Sequence, residues 1–344
     1  MHVHLLVPDL CRPDWLEPGI CAEDVQLESA ETLMAKGRRS LAVQGVNPEA
    51  WLKMQYMVES AGDAGIAALS LLGDGMAPGD GAWLRADPVH LRVDRDSLVL
   101  ADSALFGISG EEAGTLSDHL NAHFAPDFEF LPVHPRRWYA KASNTELPSC
   151  TPPSQARGRP VSAHLPAGAD AMRWHALMNE VQMALHDHPV NEARELRGEL
   201  PVNSIWFWGG GVLEQPSSRP FDQVLADDPL ARGLALASGA AAAPLPADAA
   251  ALLSAAHSGR VLVLLDALSA PAAYGDAQAW SEQAARLEDR WFAPLLAALR
   301  AGRVGMITLH MGTPAGSLSA ETVATDLRRF WRRTRPLAAY APES

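Results

Sequence analysis

Three side chains able to act as metal ligands, acids or bases follow short apolar runs that predict buried strands. They are Asp9 after residues 3–7, Asp266 after residues 261–265 and His310 after residues 306–309. In open α/β sheets the carboxyl ends of the strands face the ligand crevice, so these positions predict a metal or acid–base site. The alternative is that all three are capping and turn residues.

A second group of polar residues surrounds a predicted helix end and the loop that follows it. The run His188-Pro189-Val190-Asn191-Glu192-Ala193-Arg194 is followed by Asn203-Ser204-Ile205-Trp206. An imidazole, two amides and a guanidinium together could hold a carboxylate or phosphate through charge-assisted and bidentate hydrogen bonds. The alternative is structural: the two asparagines fix turns, the arginine forms a surface ion pair and the histidine caps a helix.

The C-terminal region concentrates positive charge. Five arginines fall within eight residues, at positions 328, 329, 332, 333 and 335, and the pattern predicts a helix over residues 320–333. Such a helix could dock an anionic protein partner. The alternative is a solvated helix whose Leu327, Phe330 and Trp331 pack inward.

Other patterns indicate the elements that would position these residues. Strand-like runs alternate with helical periodicity in both terminal thirds of the chain, which is typical of α/β folds. A hairpin is predicted over residues 82–101, a helix opens after Ser109 with acidic residues in its first turn, and another helix runs from Ala171 to His188. The glycine-rich segment 73–81 predicts a domain boundary.

Composition narrows the function classes. The chain has 344 residues and a net charge of −13, so its surface as a whole disfavours nucleic acid and anionic lipid. Its three cysteines form no disulfide or zinc pattern, and no apolar run is long enough to span a membrane. We therefore expect a cytoplasmic protein without nucleic-acid or membrane partners.

The residues at 86–91, the helix leading into His188-Pro189-Val190-Asn191 and the run Asn203-Ser204-Ile205-Trp206 resemble the RpfE-type regulatory proteins of bacteria. Those proteins are similar to the archaeal-type, cofactor-independent phosphoglycerate mutases of the alkaline phosphatase superfamily. There, H-P-[VI]-N-x-x-R and N-x-I-W-x-W-G return the chain from an inserted substrate domain to the metal-binding core. The resemblance implies an α/β fold with an alkaline phosphatase-like core sheet flanked by helices, formed by residues 1–78 and 205–344. A smaller α+β domain is inserted at 79–204.

The resemblance also shows which catalytic groups are missing. The mutases hold two divalent metals with several Asp and His residues and use a phosphorylated serine nucleophile. Here Leu309 replaces the Asp of the family's D-H-S-T-P run, and no serine in residues 10–80 matches the nucleophile. Asp9, Asp266 and His310 would support at most one weak divalent metal, Mn or Zn, so we expect no cofactor.

The sequence thus favours a catalytically degenerate regulatory or sensing protein that binds a small anionic, phosphorylated metabolite between core and inserted domain. The expected ligand-binding residues are Arg85, His188, Asn191, Arg194 and Asn203, with Trp206 and Trp208 shaping the wall. One alternative is an active metal-dependent phosphomutase or phosphatase with a rearranged metal site. The other is an interaction protein that docks a partner through the arginine-rich helix.

Overall fold

The computed structural model describes most of the chain. The described residues are 1–11, 25–42, 47–60, 62–94, 97–143, 147–166, 170–255, 257–313 and 316–340. They form two compact units. The first unit comprises residues 1–58 and 216–344, and the second comprises residues 59–215, which interrupt the first in sequence.

The strands are numbered in chain order. They are β1 (His2–Leu6), β2 (Arg38–Ala42), β3 (Ala82–Asp94), β4 (Ser97–Asp102), β5 (Phe128–His134), β6 (Arg137–Ala142), β7 (Ser204–Gly211), β8 (Gln223–Leu225), β9 (Ala241–Ala243), β10 (Arg260–Leu264), β11 (Met306–Thr313) and β12 (Gly316–Thr322).

The helices are numbered in the same way. They are α1 (Glu28–Lys36), α2 (Pro48–Gln55), α3 (Ile66–Gly73), α4 (Gly110–Phe124), α5 (Pro153–Ala156), α6 (Ala171–His186), α7 (Pro189–Leu196), α8 (Pro229–Ala237), α9 (Ala249–Ser254), α10 (Ser269–Tyr274), α11 (Ala277–Leu287) and α12 (Ala293–Arg300). A π-helical turn, Glu288–Phe292, joins α11 to α12, and short 3-10 helices occupy Val161–Ala163, Asp326–Arg328 and Leu337–Tyr340.

The first unit is built on a sheet with the order β2-β12-β11-β1-β10-β8-β9. The strands from β11 to β9 pair in parallel, and β12 and β2 add an antiparallel edge. Val3 and Leu5 of β1 are fully buried in the core that contains residues of α1, α11 and α12. Because side chains alternate along a strand, His2 and His4 lie on the opposite face.

The second unit is an α+β arrangement. Its sheet has the order β4-β3-β6-β5, and β7 pairs with β3. The predicted hairpin is confirmed as β3 and β4, and the predicted helix after Ser109 is confirmed as α4. Ser109 and Glu112 form a capping box, in which each side chain accepts a hydrogen bond from the other residue's backbone N–H.

Residues 59–78 and 205–215, which the sequence prediction placed in the core, lie in the second unit. The reason is strand pairing. β7 follows β3 in antiparallel register from Val89↔Ser204 to Trp83↔Gly211, so the three glycines after Trp208 belong to the strand. Helix α3 contacts both of these strands.

The predicted helix over residues 320–333 is wrong. Residues Gly316–Thr322 form β12, which pairs with β11 on one side and β2 on the other, and only the short 3-10 helix at Asp326–Arg328 follows. Phe330 and Trp331 are 85% and 66% exposed rather than packed inward. Pairing with two distant strands overrides the local helical pattern.

Among the described helices, none combines the length and the apolar character needed to cross a bilayer.

The start of α1 depends on a residue that is distant in sequence. Its N-cap, Leu27, has no side chain able to accept a hydrogen bond. The Glu288 carboxylate accepts instead, from the backbone N–H groups of Ser29 at 2.8 Å and Ala30 at 3.4 Å. A carboxylate also suits the positive end of the helix dipole. The π-helical turn thereby caps α1.

We expect Glu288→Ala to lower the free energy of unfolding by about 1–3 kcal/mol, because two buried N–H groups lose their acceptor. Urea denaturation would measure the loss. Asp289→Ala, at the exposed neighbouring position, is the control and should change stability by less than about 0.5 kcal/mol. Equal effects of the two substitutions would show that Glu288 does not cap α1.

Candidate functional site

The three strand-end residues of the first unit lie on neighbouring strands but at different levels. His310 is in register with the last residues of β1 and β10, and β11 continues beyond it to Thr313. Asp266 is the second residue after β10, and Asp9 is the third after β1. Both acids therefore follow the end of their strands, whereas His310 lies within one. The prediction that a strand ends at His310 is therefore wrong.

Within the described ranges, no three or more His, Cys, Asp or Glu residues are placed to hold a metal ion. Asp9 and Asp266 are exposed, whereas the nearest partner of His310 is another imidazole. These donors therefore do not fit a two-metal centre, which requires about twice as many protein ligands.

A cluster of three histidines lies on the face of the first unit's sheet opposite to the core. The rings of His2 and His4 are 3.9 Å apart, and the rings of His4 and His310 stack at 5.4 Å. His4 Nδ1 and His310 Nε2 share a hydrogen bond of 3.1 Å, and His2 Nε2 lies 2.7 Å from the Thr308 hydroxyl. Trp51 of α2 packs on the His310 ring at 4.9 Å.

The histidine cluster, His2 with His4 and His310, resists protonation. Burial, followed by the neighbouring His2, His310 and Arg260, lowers the pKa of His4 to about 2. Burial and the neighbouring His2 lower the pKa of His310 to about 3. A general base works best when its pKa lies near the operating pH, so neither imidazole suits proton transfer at neutral pH. The cluster can donate and accept hydrogen bonds as neutral rings.

Arg85 of the second unit lies between two aromatic rings. Its guanidinium carbon is 5.2 Å from the Tyr139 ring centre and 5.0 Å from that of Trp208. Arg85 donates to one Asp87 oxygen at 2.7 and 3.2 Å, and the Trp208 indole donates to the other at 2.8 Å. Asp87 was not predicted as a site residue. The sequence feature that could have identified Asp87 is its i, i+2 spacing from Arg85, which places both side chains on one face of a strand.

His188 and Asn191 both stabilise the turn between α6 and α7. His188 is the N-cap of α7, and its Nδ1 accepts from the Val190 N–H at 3.2 Å. The buried Asn191 amide donates to the carbonyls of Leu185 and Val202 and accepts from the Val202 N–H. Burial and the neighbouring His119 lower the pKa of His188.

Asn203 and Trp206 tie β7 to its surroundings. Asn203 accepts from the Leu91 N–H at 2.7 Å and donates to the Leu91 carbonyl at 3.0 Å, as a backbone group would. The Trp206 indole donates to the Thr151 carbonyl at 2.8 Å. Both side chains therefore complete the packing of the second unit.

Arg194 is the most buried polar residue among the predicted ligand residues, at 1% exposure. Its guanidinium donates to the Leu200 carbonyl at 2.9 Å, the Gly107 carbonyl at 2.7 Å and the Glu112 carboxylate at 3.0 Å. Burial raises the pKa of Glu112, but bonds from the Ser109 backbone and Arg194 outweigh it, so the pKa lies below its usual value. One ion pair thus joins α4 and α7.

Arg194 also lines a cavity of about 740 Å³ in the second unit. Its charged lining consists of Glu111, Glu112, Arg194, Arg197 and Glu199. Acidic groups outnumber basic ones, so the charge of this cavity does not favour an anion. The predicted ligand residues are thus brought into hydrogen-bonded networks of the second unit, and their direct contact with a ligand stays a prediction.

Comparisons with known proteins place the chain near one enzyme family. A family profile described as 2,3-bisphosphoglycerate-independent phosphoglycerate mutase matches residues 60–191. A probable enzyme of that name from Geobacter sulfurreducens is 28% identical over 240 residues, which is 67% of this chain and 57% of that protein. The Methanothrix thermoacetophila enzyme is 34% identical over 35% of this chain and 31% of its own. The chain is similar to these mutases.

The matches thus cover less than two thirds of the relatives' own length. Among solved structures, the PH0037 protein from Pyrococcus horikoshii aligns over 93% of this chain and 86% of its own, with a TM-score of 0.57 and 12% identity. This likeness shows a shared fold. The fold class predicted from the sequence, an alkaline phosphatase-like α/β core sheet with a smaller α+β unit inserted, is confirmed.

We expect Arg194→Ala to lower the free energy of unfolding by about 2–4 kcal/mol, because the carbonyls of Gly107 and Leu200 lose their donor and the partly buried Glu112 carboxylate loses one of its partners. Urea denaturation would measure it. Arg197→Ala is the control: its side chain also reaches Glu112 but is 49% exposed, so stability should stay close to that of the unsubstituted protein. A stable, fully folded Arg194→Ala protein would contradict the structural role.

The histidine cluster predicts acid sensitivity. Because the folded-state pKa values of His4 and His310 lie below the ordinary 6.5, the unfolded chain binds more protons as the pH falls. The contribution to stability is complete above about pH 6.5 and is lost progressively as the pH falls toward the folded-state values.

His310→Phe should reduce the slope of unfolding free energy against pH by up to about 1.4 kcal/mol per unit. His186→Gln, at an exposed position, should leave the slope unchanged, and an unchanged slope in His310→Phe would refute the assignment.

Proposed function

We propose that this chain is a phosphoglycerate mutase-like protein that has lost the two-metal mutase reaction and acts as a regulatory or sensing protein of the RpfE type. Its ligand is a small phosphorylated acid of the kind named in its relatives, a phosphoglycerate. The observation that carries the proposal is the donor set at the core strand ends. Among the residues that the structure describes, these strand ends present two exposed acids and one imidazole bonded to another, which are fewer ligands than a two-metal clamp requires.

The location of the sequence similarity supports the same proposal. The family profile matches residues 60–191, which lie entirely within the second unit. In the first unit, the described residues at the ends of β1, β10 and β11 offer few metal ligands. The longer similarity to the Geobacter sulfurreducens protein spans 240 residues and so extends into the first unit, where the proposal requires the loss of metal ligands and not of the whole core.

The second unit offers basic groups for an anionic ligand at the turn between β5 and β6. Arg136 there is exposed, and the partly exposed Arg137 donates to the Asp74 carboxylate at 3.0 and 3.1 Å. Burial and the neighbouring Arg137 lower the pKa of His134, so this ring is neutral at pH 7. Two guanidinium groups against one carboxylate leave net positive charge. Guanidinium groups suit a phosphate or carboxylate.

Behind this turn, Arg85, one of the residues predicted as ligand contacts, forms part of the support. Tyr139 of β6 donates its hydroxyl to Asp74 at 2.7 Å, and its ring contacts Arg85. The chain of contacts from Asp87 through Arg85 and Tyr139 therefore ends at the carboxylate that orients Arg137. Such supporting bonds hold binding side chains in place.

We expect 3-phosphoglycerate to raise the thermal unfolding temperature in a saturable way, whereas glycerate, which lacks the phosphate, should not. Isothermal calorimetry would give the affinity. Arg136→Ala should weaken binding about tenfold or more, because a charge-assisted bond is lost. The control is Arg173→Ala, which removes an exposed arginine from α6 and should bind normally.

Activity assays on the same protein preparation distinguish the proposal from the alternative of an active phosphomutase or phosphatase. With manganese supplied, we expect no interconversion of 2- and 3-phosphoglycerate and no release of phosphate. Manganese-dependent turnover that disappears in Asp266→Ala would establish the alternative. If neither turnover nor stabilisation by any phosphoglycerate is detected, the metabolite-sensing proposal is wrong.

A further inference from the structure

The segment that follows β12 presents aromatic rings and arginines together. Phe330 and Trp331 are 85% and 66% exposed and form an edge-to-face pair with ring centres 5.1 Å apart. Arg328, Arg333 and Arg335 are exposed on either side of them. Large exposed apolar groups flanked by charge mark interaction sites rather than ordinary surface.

This segment is held in place by reciprocal hydrogen bonds to the end of α1. Lys36 donates its ammonium protons to the carbonyls of Arg329 and Arg332, at 2.9 and 2.5 Å. In return, Arg332 donates to the carbonyls of Lys36 and Gly37, and Arg329 donates to that of Lys36. An ion pair of 2.7 Å between Arg329 and Asp326 adds to this attachment. The aromatic pair is therefore presented by a fixed backbone.

The same attachment brings Arg39 of β2 close to this segment. Strand β2 begins directly after Gly37, and its Arg39 lies over the Tyr340 ring at 5.0 Å, whereas the side chain of Arg38 lies on the opposite face of the sheet. Leu41, further along this edge strand, is 45% exposed. We define the arginine–aromatic surface as the aromatic pair, Leu41 and these arginines. Its arginines are Arg39, Arg328, Arg329, Arg332, Arg333 and Arg335.

The charge of this surface selects an anionic partner. Among the described residues, Asp326 pairs with Arg329 at 2.7 Å, and the arginines of the surface outnumber this carboxylate, so positive charge is in excess. The chain as a whole carries −13, but charges further away than the Debye length, about 8 Å in physiological salt, contribute little at a contact. The net charge therefore does not prevent this surface from meeting an anionic partner.

We propose that the arginine–aromatic surface docks the protein peripherally on an anionic lipid membrane. Aromatic rings lie favourably at the depth of lipid headgroups, and clustered arginines bind acidic lipids. Phe330 and Trp331 project outward, and a lipid interface accepts such a projection without a preformed pocket. An interplanar angle of 86° turns the edge of one ring toward the other, which is unlike the stacking platforms that bind single-stranded nucleic acid.

Co-sedimentation with vesicles tests this proposal. We expect the protein to pellet with vesicles of phosphatidylcholine mixed with phosphatidylserine, to remain in solution with phosphatidylcholine alone, and to dissociate at high salt. The double variants Phe330→Ser/Trp331→Ser and Arg328→Glu/Arg333→Glu should each reduce the partition coefficient at least tenfold. Since all four side chains are exposed, both variants should unfold at the temperature of the original protein.

Two matched double variants serve as controls. Met172→Ser/Met183→Ser removes two other exposed apolar side chains, at 85% and 77% exposure, and Arg300→Glu/Arg303→Glu reverses two other exposed arginines. Both should bind vesicles as the unsubstituted protein does. Failure to bind the mixed vesicles, or equal loss in the controls, would overturn the proposal. Binding of a polyglutamate peptide in place of vesicles would also overturn it, and would assign the surface to an acidic protein.

Discussion

A charge removed from water must be paired, and this requirement organises the second unit. Arg194 and Arg85 are 1% and 6% exposed, so each costs free energy unless its donors find acceptors. Glu112 and Asp87 supply the opposite charge, and backbone carbonyls or aromatic rings complete each shell. These bonds fix α4 against α7 and β3 against β7. Because these side chains already have partners, they define the shape of the unit.

In the first unit the corresponding constraint is the central position of β1. Pairing in parallel with both β10 and β11 fixes its register, so the alternation of side chains assigns His2 and His4 to one face and Val3 and Leu5 to the core. The same pairing places His310 beside His4. Burial then favours the neutral imidazole, which explains why this polar cluster is compatible with a packed sheet.

Much of the fold could be predicted from local patterns, because some elements carry their own signals. The Ser109–Glu112 capping box and the β3–β4 hairpin are specified by residues close in sequence. The helix predicted over residues 320–333 failed because β12 forms through pairing with β2 and β11, which no local pattern reports. The cap of α1 by Glu288 joins residues more than 250 positions apart and has no sequence signal.

In the candidate site, too, the sequence indicates the types of residue involved but not where the fold places them. The sequence drew attention to His188, Asn191 and Arg194, and all three are buried in the fold, where polar groups need specific partners. It could not show whether those partners are a ligand or the protein itself, because both uses require the same donors and acceptors. Arg194 illustrates the ambiguity: Glu112, its charged partner, lies 82 positions earlier in the chain. The residue types therefore indicate which segments carry side chains able to bind a ligand. Only the distances within the fold show which of those side chains are already hydrogen-bonded to other parts of the protein.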